Sequence, residues 1–299
     1  MPRPLRLGLA GAGRWGRNYI RTISALPQVR LAQVASGNPE TAPMLPAECR
    51  LTAHWRELID PSALDGIIIA TPPASHVEIA RAAILAGIPV LVEKPLALSA
   101  TEARALRDLA AEKGVFALVE HTHLFSPAFR SLKDLARRNG SVREIRSEAS
   151  NHGPYRRDVS VLWDWGPHDV AMCLDLMQEF PASAVCTVQD SSAKDGGMAQ
   201  SVSIALSFPS GVPAQIALSN AKNKARRFTV RCADAELVYD DFGEHKLYVN
   251  GMPMPVSAEA PLTVAVREFA AAIASGSRPA GALDLGVSVV EVLESCAQL

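Results

Sequence analysis

The chain has 299 residues, of which 48% are hydrophobic and 20% charged, with Lys+Arg 30 set against Asp+Glu 31. That is the composition of a soluble globular protein long enough for one large domain or two ordinary ones. A net charge near zero gives no global field to recruit nucleic acid or an anionic membrane. Cys49, Cys173, Cys186, Cys232 and Cys296 are odd in number, scattered and without a Cys-x-x-Cys pair, which favours a reducing compartment over a disulfide framework or a zinc site. A strand expected from Leu5 leaves no room for a signal peptide, and no apolar run approaches the roughly 18 residues of a membrane span. A cytoplasmic protein with neither nucleic acid nor membrane as partner is expected.

In chain order, Leu5-Arg6-Leu7-Gly8-Leu9-Ala10 reads as a strand that runs straight into Gly11-Ala12-Gly13-Arg14-Trp15-Gly16. Glycines at these offsets suit a tight turn, close backbone approach to a pyrophosphate and tight helix packing, with phosphates at a helix N-terminus. A helix over about residues 14–26 and a second strand, Val29–Ala35, supply the context the motif requires. About 20 positions after the glycines, where a carboxylate would hold the adenosine ribose, stands Ser36. Its lack of charge removes the main bar to a 2′-phosphate, and Arg14 offers a cation, so NADP is slightly favoured over NAD.

Leu64-Asp65-Gly66-Ile67-Ile68-Ile69-Ala70 reads as a buried strand leading into Thr71-Pro72-Pro73-Ala74-Ser75-His76, with Ser75 as the expected cap of a helix over 75–86. His76 suits a first-turn surface or loop-anchoring role better than catalysis. The next short apolar run, Ile88-Pro89-Val90-Leu91-Val92, ends in Glu93-Lys94-Pro95, which sets Lys94 at the carboxyl edge that borders the ligand crevice of an open α/β sheet. A helix from Ser99 to about residue 112 and a strand over 115–120 complete an alternating series, hence a doubly wound parallel sheet.

After His121 the pattern changes to a helix over about 127–138 and then to alternating runs, with Val202, Ile204, Leu206 and Phe208 on one face and Ser201, Ser203, Ala205 and Ser207 on the other. Further runs near 212–218, 228–232, 236–239 and 246–249 describe a mainly antiparallel sheet, making the second domain α+β. Within it Gly166-Pro167 fits the start of a helix, which would place His168 in the first turn, held neutral there, with Asp164 just upstream to orient its ring. Asp169 reads as a first-turn carboxylate favoured by the helix dipole. Arg156 and Arg157 can hold a substrate phosphate or carboxylate, or form a solvated loop pair. His121-x-His123 has no third ligand nearby in the sequence, so no metal is expected.

Taken together, the three-glycine turn, the Thr-Pro-Pro loop, Glu93-Lys94-Pro95 and Asp164-x-x-x-His168 resemble the glucose-fructose oxidoreductase / inositol dehydrogenase / MocA-type (GFO/IDH/MocA) oxidoreductases over nearly the whole chain. Glu120 to Ala128 and Val161 to Asp169 resemble the branch that includes nucleotide-sugar 3-dehydrogenases. Ser36 departs from the family's usual acidic residue, and Trp165 is bulkier than the common Leu. The resemblance implies a Rossmann domain over residues 1–121 and, over 122–299, a substrate-binding domain whose open antiparallel sheet makes dimers or tetramers. It also implies that the Pro95 peptide is cis. Lys94 and His168 would act at the reacting carbinol, His168 as general base, with Asp164 as the third polar member.

The cofactor site is then expected to comprise Gly11, Gly13, Arg14, Trp15, Gly16, Ser36, Thr71, Pro72, His76, Glu93 and Lys94. The substrate, a sugar, sugar derivative, nucleotide sugar or cyclic polyol, would meet Lys94, His121, Arg156, Arg157, Asp164 and His168. Two alternatives use the same fold: a non-catalytic NAD(P)-binding regulatory protein, and an enzyme that holds its cofactor tightly and recycles it internally.

Overall fold

The computed structural model describes residues 3–277 and 281–297. The chain forms two compact units, Met1–Thr122 with Ala260–Val290, and His123–Glu259 with Glu291–Leu299. A single boundary after residue 121 therefore does not describe the chain, because residues 260–290 return to the first unit.

In the first unit, β1 (Leu5–Ala10) leads through the glycine turn to α1 (Gly16–Ser24) and β2 (Val29–Ala35). Then come β3 (Arg50–Thr52), β4 (Gly66–Ile69), α2 (His76–Leu85), β5 (Val90–Glu93), α3 (Ala100–Lys113) and β6 (Ala117–Glu120). The strands pair in the order β3-β2-β1-β4-β5-β6, all parallel. This order reverses direction between β1 and β4, and a crevice opens at such a switch point outside the carboxyl ends of the strands. Ile67, Ile68 and Ile69 are fully buried, each contributing about 1.5–3 kcal/mol of apolar burial. A strand buried on both faces reads as a continuous apolar run, which is why this sheet is plain in the sequence.

The second unit opens with α4 (Pro127–Arg138), β7 (Val142–His152) and α5 (Val161–Met177). Seven further strands follow: β8 (Ser183–Lys194), β9 (Gly197–Ser207), β10 (Pro213–Ser219), β11 (Ala221–Cys232), β12 (Glu236–Asp240), β13 (Leu247–Val249) and β14 (Met252–Pro253). The sheet order is β14-β13-β12-β11-β7-β10-β9-β8, antiparallel except where β7 meets β10. Val202, Ile204, Leu206, Ile216, Leu218, Ile145 and Phe228 are buried on this sheet, and α5 packs on β7, β9 and β10. Two long strands lie outside the runs read from the sequence. β7 buries one large apolar residue, Ile145, beside the small Ser147, Ala149 and Ser150, and β8 is an edge strand exposed along most of its length.

α5 also corrects an expectation. It begins at Val161, five residues before Gly166, and carries Pro167 inside it. His168 thus lies in the third turn and not the first, so the helix N-terminus does not act on its ring. Asp169 is mid-helix, at 0% exposure. A proline inside a helix forfeits one backbone bond and costs about 3 kcal/mol. Here Val161, Leu162, Gly166, Pro167, Val170 and Leu174 are buried on the same helix and offset that cost.

α6 (Pro261–Ser275) returns the chain to the first unit, where Leu262, Val266, Phe269 and Ala270 join the core around Leu7, Leu9 and Tyr19. The Phe269 ring stacks on Phe116 with centroids 6.0 Å apart. α7 (Asp284–Ala297) ends the described chain.

Candidate active site

At the carboxyl edge of the first unit's sheet, the glycine turn is built to leave room. Gly11 has φ +92°, and a Cβ on it would stand 2.7 Å from the Ala70 carbonyl oxygen; on Gly16 a Cβ would stand 2.1 Å from the Gly11 oxygen. Only glycine fits at either position. Gly13 meets nothing within 4 Å on its Cβ side. α1 starts at once behind it, with no side-chain cap and no acidic residue in its first turn; the Arg17 and Asn18 N–H groups bond the Gly13 and Trp15 carbonyls, and the helix dipole favours an anion at this end. These residues fit the diphosphate of a dinucleotide: two glycines close the turn and the third leaves the approach clear.

Around this turn the other expected cofactor residues are arranged unevenly. Arg14 is exposed at the rim. Ser36 Oγ is shared with Thr41 Oγ1 at 2.9 Å and accepts from the Asn38 N–H at 3.2 Å, so the hydroxyl organises the loop after β2. Arg17, one residue into α1 and missed in the sequence, lies 3.7 Å from Glu40 of that loop. Trp15 Nε1 and Tyr19 Oη, the latter at 2.7 Å, both donate to Glu93 Oε1, tying the end of β5 to the glycine turn. Tyr19 was not singled out in the sequence; its hydroxyl is the signal that was available.

His76 is fully buried, which removes the surface alternative. Its Nδ1 lies 2.8 Å from the Pro95 carbonyl oxygen and its Nε2 lies 2.9 Å from that of Thr71. It therefore joins the Thr71–Pro72 loop to the Lys94–Pro95 segment, whose peptide bond is cis. Ser75 holds the N-cap position of α2 without capping it; its hydroxyl turns back to Thr71 Oγ1 at 2.7 Å and to the Pro72 carbonyl.

Lys94 is half-buried directly after β5. Across from it, at the end of β6, Glu120 and His121 are buried at 0% and 3% exposure. Burial pushes the Glu93 and Glu120 carboxyl groups up from the ordinary range, and the charge of Glu93 adds to the effect on Glu120. Burial, with the Lys94 charge beside it, pushes His121 down to about 3, so this ring is neutral.

The second unit carries the other expected residues. Asp164 and His168 are i, i+4 on α5 and thus share a face. Arg156 holds Asp164 Oδ1 at 3.1 Å and grips Asp158 with its other nitrogens at 3.0 and 2.5 Å, while Arg157 is turned to the Gly196 carbonyl. Arg156 therefore belongs to the Asp164 cluster and Arg157 does not. His123, considered in the sequence only as a metal ligand, packs edge-on to His168 with centroids 5.2 Å apart, and its Nδ1 lies 2.9 Å from Tyr239 Oη. Next to His168, Asp169 accepts from Ser147 Oγ at 2.6 Å and from Arg226 Nη1 at 2.8 Å, fixing α5 to β7 and β11. Among the described residues no group of three or more His, Cys, Asp or Glu side chains is placed to hold a metal ion, and no helix is long and apolar enough to cross a membrane.

A parallel sheet in this order, with a three-glycine turn at its switch point, defines the first unit as a Rossmann-type dinucleotide-binding domain. The chain belongs to the GFO/IDH/MocA oxidoreductase family: residues 5–121 match its NAD-binding Rossmann domain and residues 129–238 its C-terminal domain. The crystal structure of a Magnetospirillum magnetotacticum MS-1 protein assigned as an oxidoreductase is 44% identical, with a TM-score of 0.93 over 98% of this chain and 99% of that one. UDP-N-acetylglucosamine 3-dehydrogenase of Acidithiobacillus ferrooxidans is 30% identical over 171 residues, 57% of this chain and 53% of that protein. Inositol 2-dehydrogenase of Rhizobium meliloti is 27% identical over 227 residues, 72% of this chain and 68% of that protein. These two sequence matches thus span about half to two thirds of the length of the curated relatives.

Proposed function

We propose that this protein is an NAD(P)-dependent dehydrogenase or reductase acting on a secondary alcohol or ketone carbon of a sugar, sugar derivative, nucleotide sugar or cyclic polyol. The observation that carries this reading is the glycine turn that admits no Cβ at Gly11 or Gly16 and stays clear at Gly13, on the same sheet edge as Lys94. Family membership and relatives named as dehydrogenases of a nucleotide sugar and of inositol support the substrate class.

Gly11, Gly13, Gly16 and the first turn of α1 would hold the diphosphate, and Ser36 the adenosine ribose. When bound, the nicotinamide supplies or accepts hydride at its C4. The chain's own residues manage the proton. In the oxidative direction His168 accepts the hydroxyl proton at a ring nitrogen, and Lys94 donates a hydrogen bond to the same oxygen and stabilises its developing charge. Asp164, steadied by Arg156, fixes the face of α5 on which His168 stands. NADP is the favoured form because Ser36 leaves a 2′-phosphate unopposed, with Arg14 exposed on the turn and Arg17 nearby. A cytoplasmic homodimer or homotetramer, formed through the sheet of the second unit, completes the proposal. Ser203 and Ala205 are small and only partly covered on that face and Ser207 is exposed, and light scattering at the monomer mass would refute it.

Lys94→Ala and His168→Ala tested against a panel of nucleotide sugars, sugars and cyclic polyols decide the assignment. Both should retain cofactor-induced stabilisation and lose turnover by about 100-fold or more, the usual contribution of a positioned acid or base. Unchanged turnover would overturn the roles. Stoichiometric nicotinamide in the purified protein would favour internal recycling of the cofactor.

A further inference from the structure

Glu93 and Glu120 end adjacent parallel strands and are partners in register. Both are withdrawn from water, at 6% and 0% exposure. A count of donors to their oxygens shows a deficit. Glu93 accepts from Trp15 and Tyr19 at Oε1 and from the Lys94 backbone N–H, and Glu120 Oε2 accepts from Thr122 Oγ1 at 2.6 Å. Glu120 Oε1 is buried and meets no hydrogen-bond partner among the described residues. A buried acceptor without a donor bears its full desolvation cost, and two ionised carboxylates side by side repel. One O–H between the two groups removes both penalties, because the acid of one donates to the oxygen of the other.

Charge balance gives the same count. Lys94 follows Glu93 directly, and its positive charge acts on both carboxyl groups. Two buried negative charges would exceed that one positive charge and repel each other, whereas one negative charge avoids the repulsion. Among the described residues, four neighbours of the pair carry no charge at neutral pH. Burial keeps Tyr19, on α1, protonated and His121, after β6, deprotonated; Trp15 and Thr122 do not titrate there.

We propose that Glu93 and Glu120 hold one proton between them at neutral pH, and that the single negative charge left on the pair positions the Lys94 ammonium at the carboxyl edge of the sheet. Glu120 is thereby a positioning residue that acts through Lys94. The consequence for turnover rests on the role proposed above for Lys94, but the proton count does not.

Infrared spectroscopy of the full-length protein, followed through a pH titration, reads the proton without cofactor or substrate. The wild type should show a buried carboxylic-acid C=O band at neutral pH that is absent from Glu120→Gln, in which the amide replaces the acid as donor and leaves Glu93 ionised. Glu93→Gln, the reciprocal change, serves if the first variant does not fold. Lys94→Met should move the midpoint of the band's loss to higher pH by about one unit or more, because an adjacent cation lowers a carboxyl group by about 1–3 units. No such band in the wild type would mean two ionised carboxylates, a band that falls only to half strength in Glu120→Gln would mean two protons, and one that persists at full strength would mean a proton that the pair does not share. Any of these results overturns the proposal, as does a midpoint that Lys94→Met leaves in place. Normal turnover in Lys94→Ala would sink the catalytic reading of Lys94 while the proton count stood on its own data.

Discussion

Replacing Arg226 by methionine is the sharpest perturbation of the second unit, because it keeps the stem of the side chain and removes only the charge that Asp169 needs. Asp169 has a side-chain exposure of 0% and Arg226 of 10%, and their 2.8 Å contact is joined by one hydrogen bond from Ser147. Breaking a buried pair from one side leaves an uncompensated charge and costs about 3–5 kcal/mol. A unit of roughly 150 residues unfolds with an entropy near 0.3 kcal/mol per kelvin, so its melting temperature should fall by about 10–16 °C, or about half that if the whole chain melts as one. Differential scanning calorimetry reads the change. Asp169→Asn combined with Arg226→Met should recover most of it, since the amide still accepts from Ser147 and no charge is stranded. A single variant within about 2 °C of the wild type, or a double variant no better than the single, would refute the argument.

Three further outcomes follow from the first unit. Gly13→Ala should melt at the wild-type temperature, because its Cβ meets no protein atom within 4 Å, yet lose the stabilisation by NADPH and NADH that thermal-shift titration reads; undiminished binding would show that the phosphates do not pass there. Ser36→Asp should turn the preference toward NADH by at least about tenfold, since a carboxylate a few ångströms from a 2′-phosphate costs more than 1.4 kcal/mol even after screening; an unchanged ratio of dissociation constants would place the 2′-position elsewhere. Asp65 is partly buried, which works against its charge, but bonds from Arg6 and Arg3 hold its carboxyl at about 2. Its contribution is therefore present above the unfolded carboxylate value near 4 and lost as pH falls through about 2, up to about 2 kcal/mol. Asp65→Asn should flatten the acid limb of the melting-temperature profile in that window, and a parallel profile would contradict the assignment.

The sheet of the first unit was readable because its strands are buried on both faces and its turn admits little but glycine. Val29–Ala35 and Leu5–Ala10 have the bounds expected from the sequence. The second unit hid more. β7 runs through the middle of its sheet but turns Ser147, Ala149 and Ser150 inward, and Ser147 is needed there as a donor to Asp169. A reading based on hydrophobic alternation passes over such a strand. Gly166-Pro167 misled for a related reason: the pair is a common helix start, but six residues of burial on α5 outweigh one missing backbone bond. Lys94, Asp164 and His168 stood out by residue type and spacing. Glu120 and Tyr239 did not, and His123 and Asp169 were read in other roles, because their partners are distant in the chain and only the fold brings the groups together.

The buried carboxylates share a placement. Glu93 and Glu120 lie beside Lys94, and Asp169 follows His168 directly, with its own cation on β11. An apolar pair of similar volume would stabilise a core as well as a buried ion pair does, and often better. What an apolar pair cannot do is fix direction, because dispersion contacts tolerate rotation and sliding that a charge-assisted hydrogen bond does not. The group that donates to a reacting oxygen must be held to within about half an ångström. Buried carboxylates beside Lys94 and His168 supply that constraint from within each unit. It follows that Arg226→Met should harm turnover more than an apolar cavity variant of equal destabilisation, such as Leu206→Ala in β9. Comparison of the two at a temperature where both are folded tests this directly: equal turnover would assign Asp169 and Arg226 to stability alone.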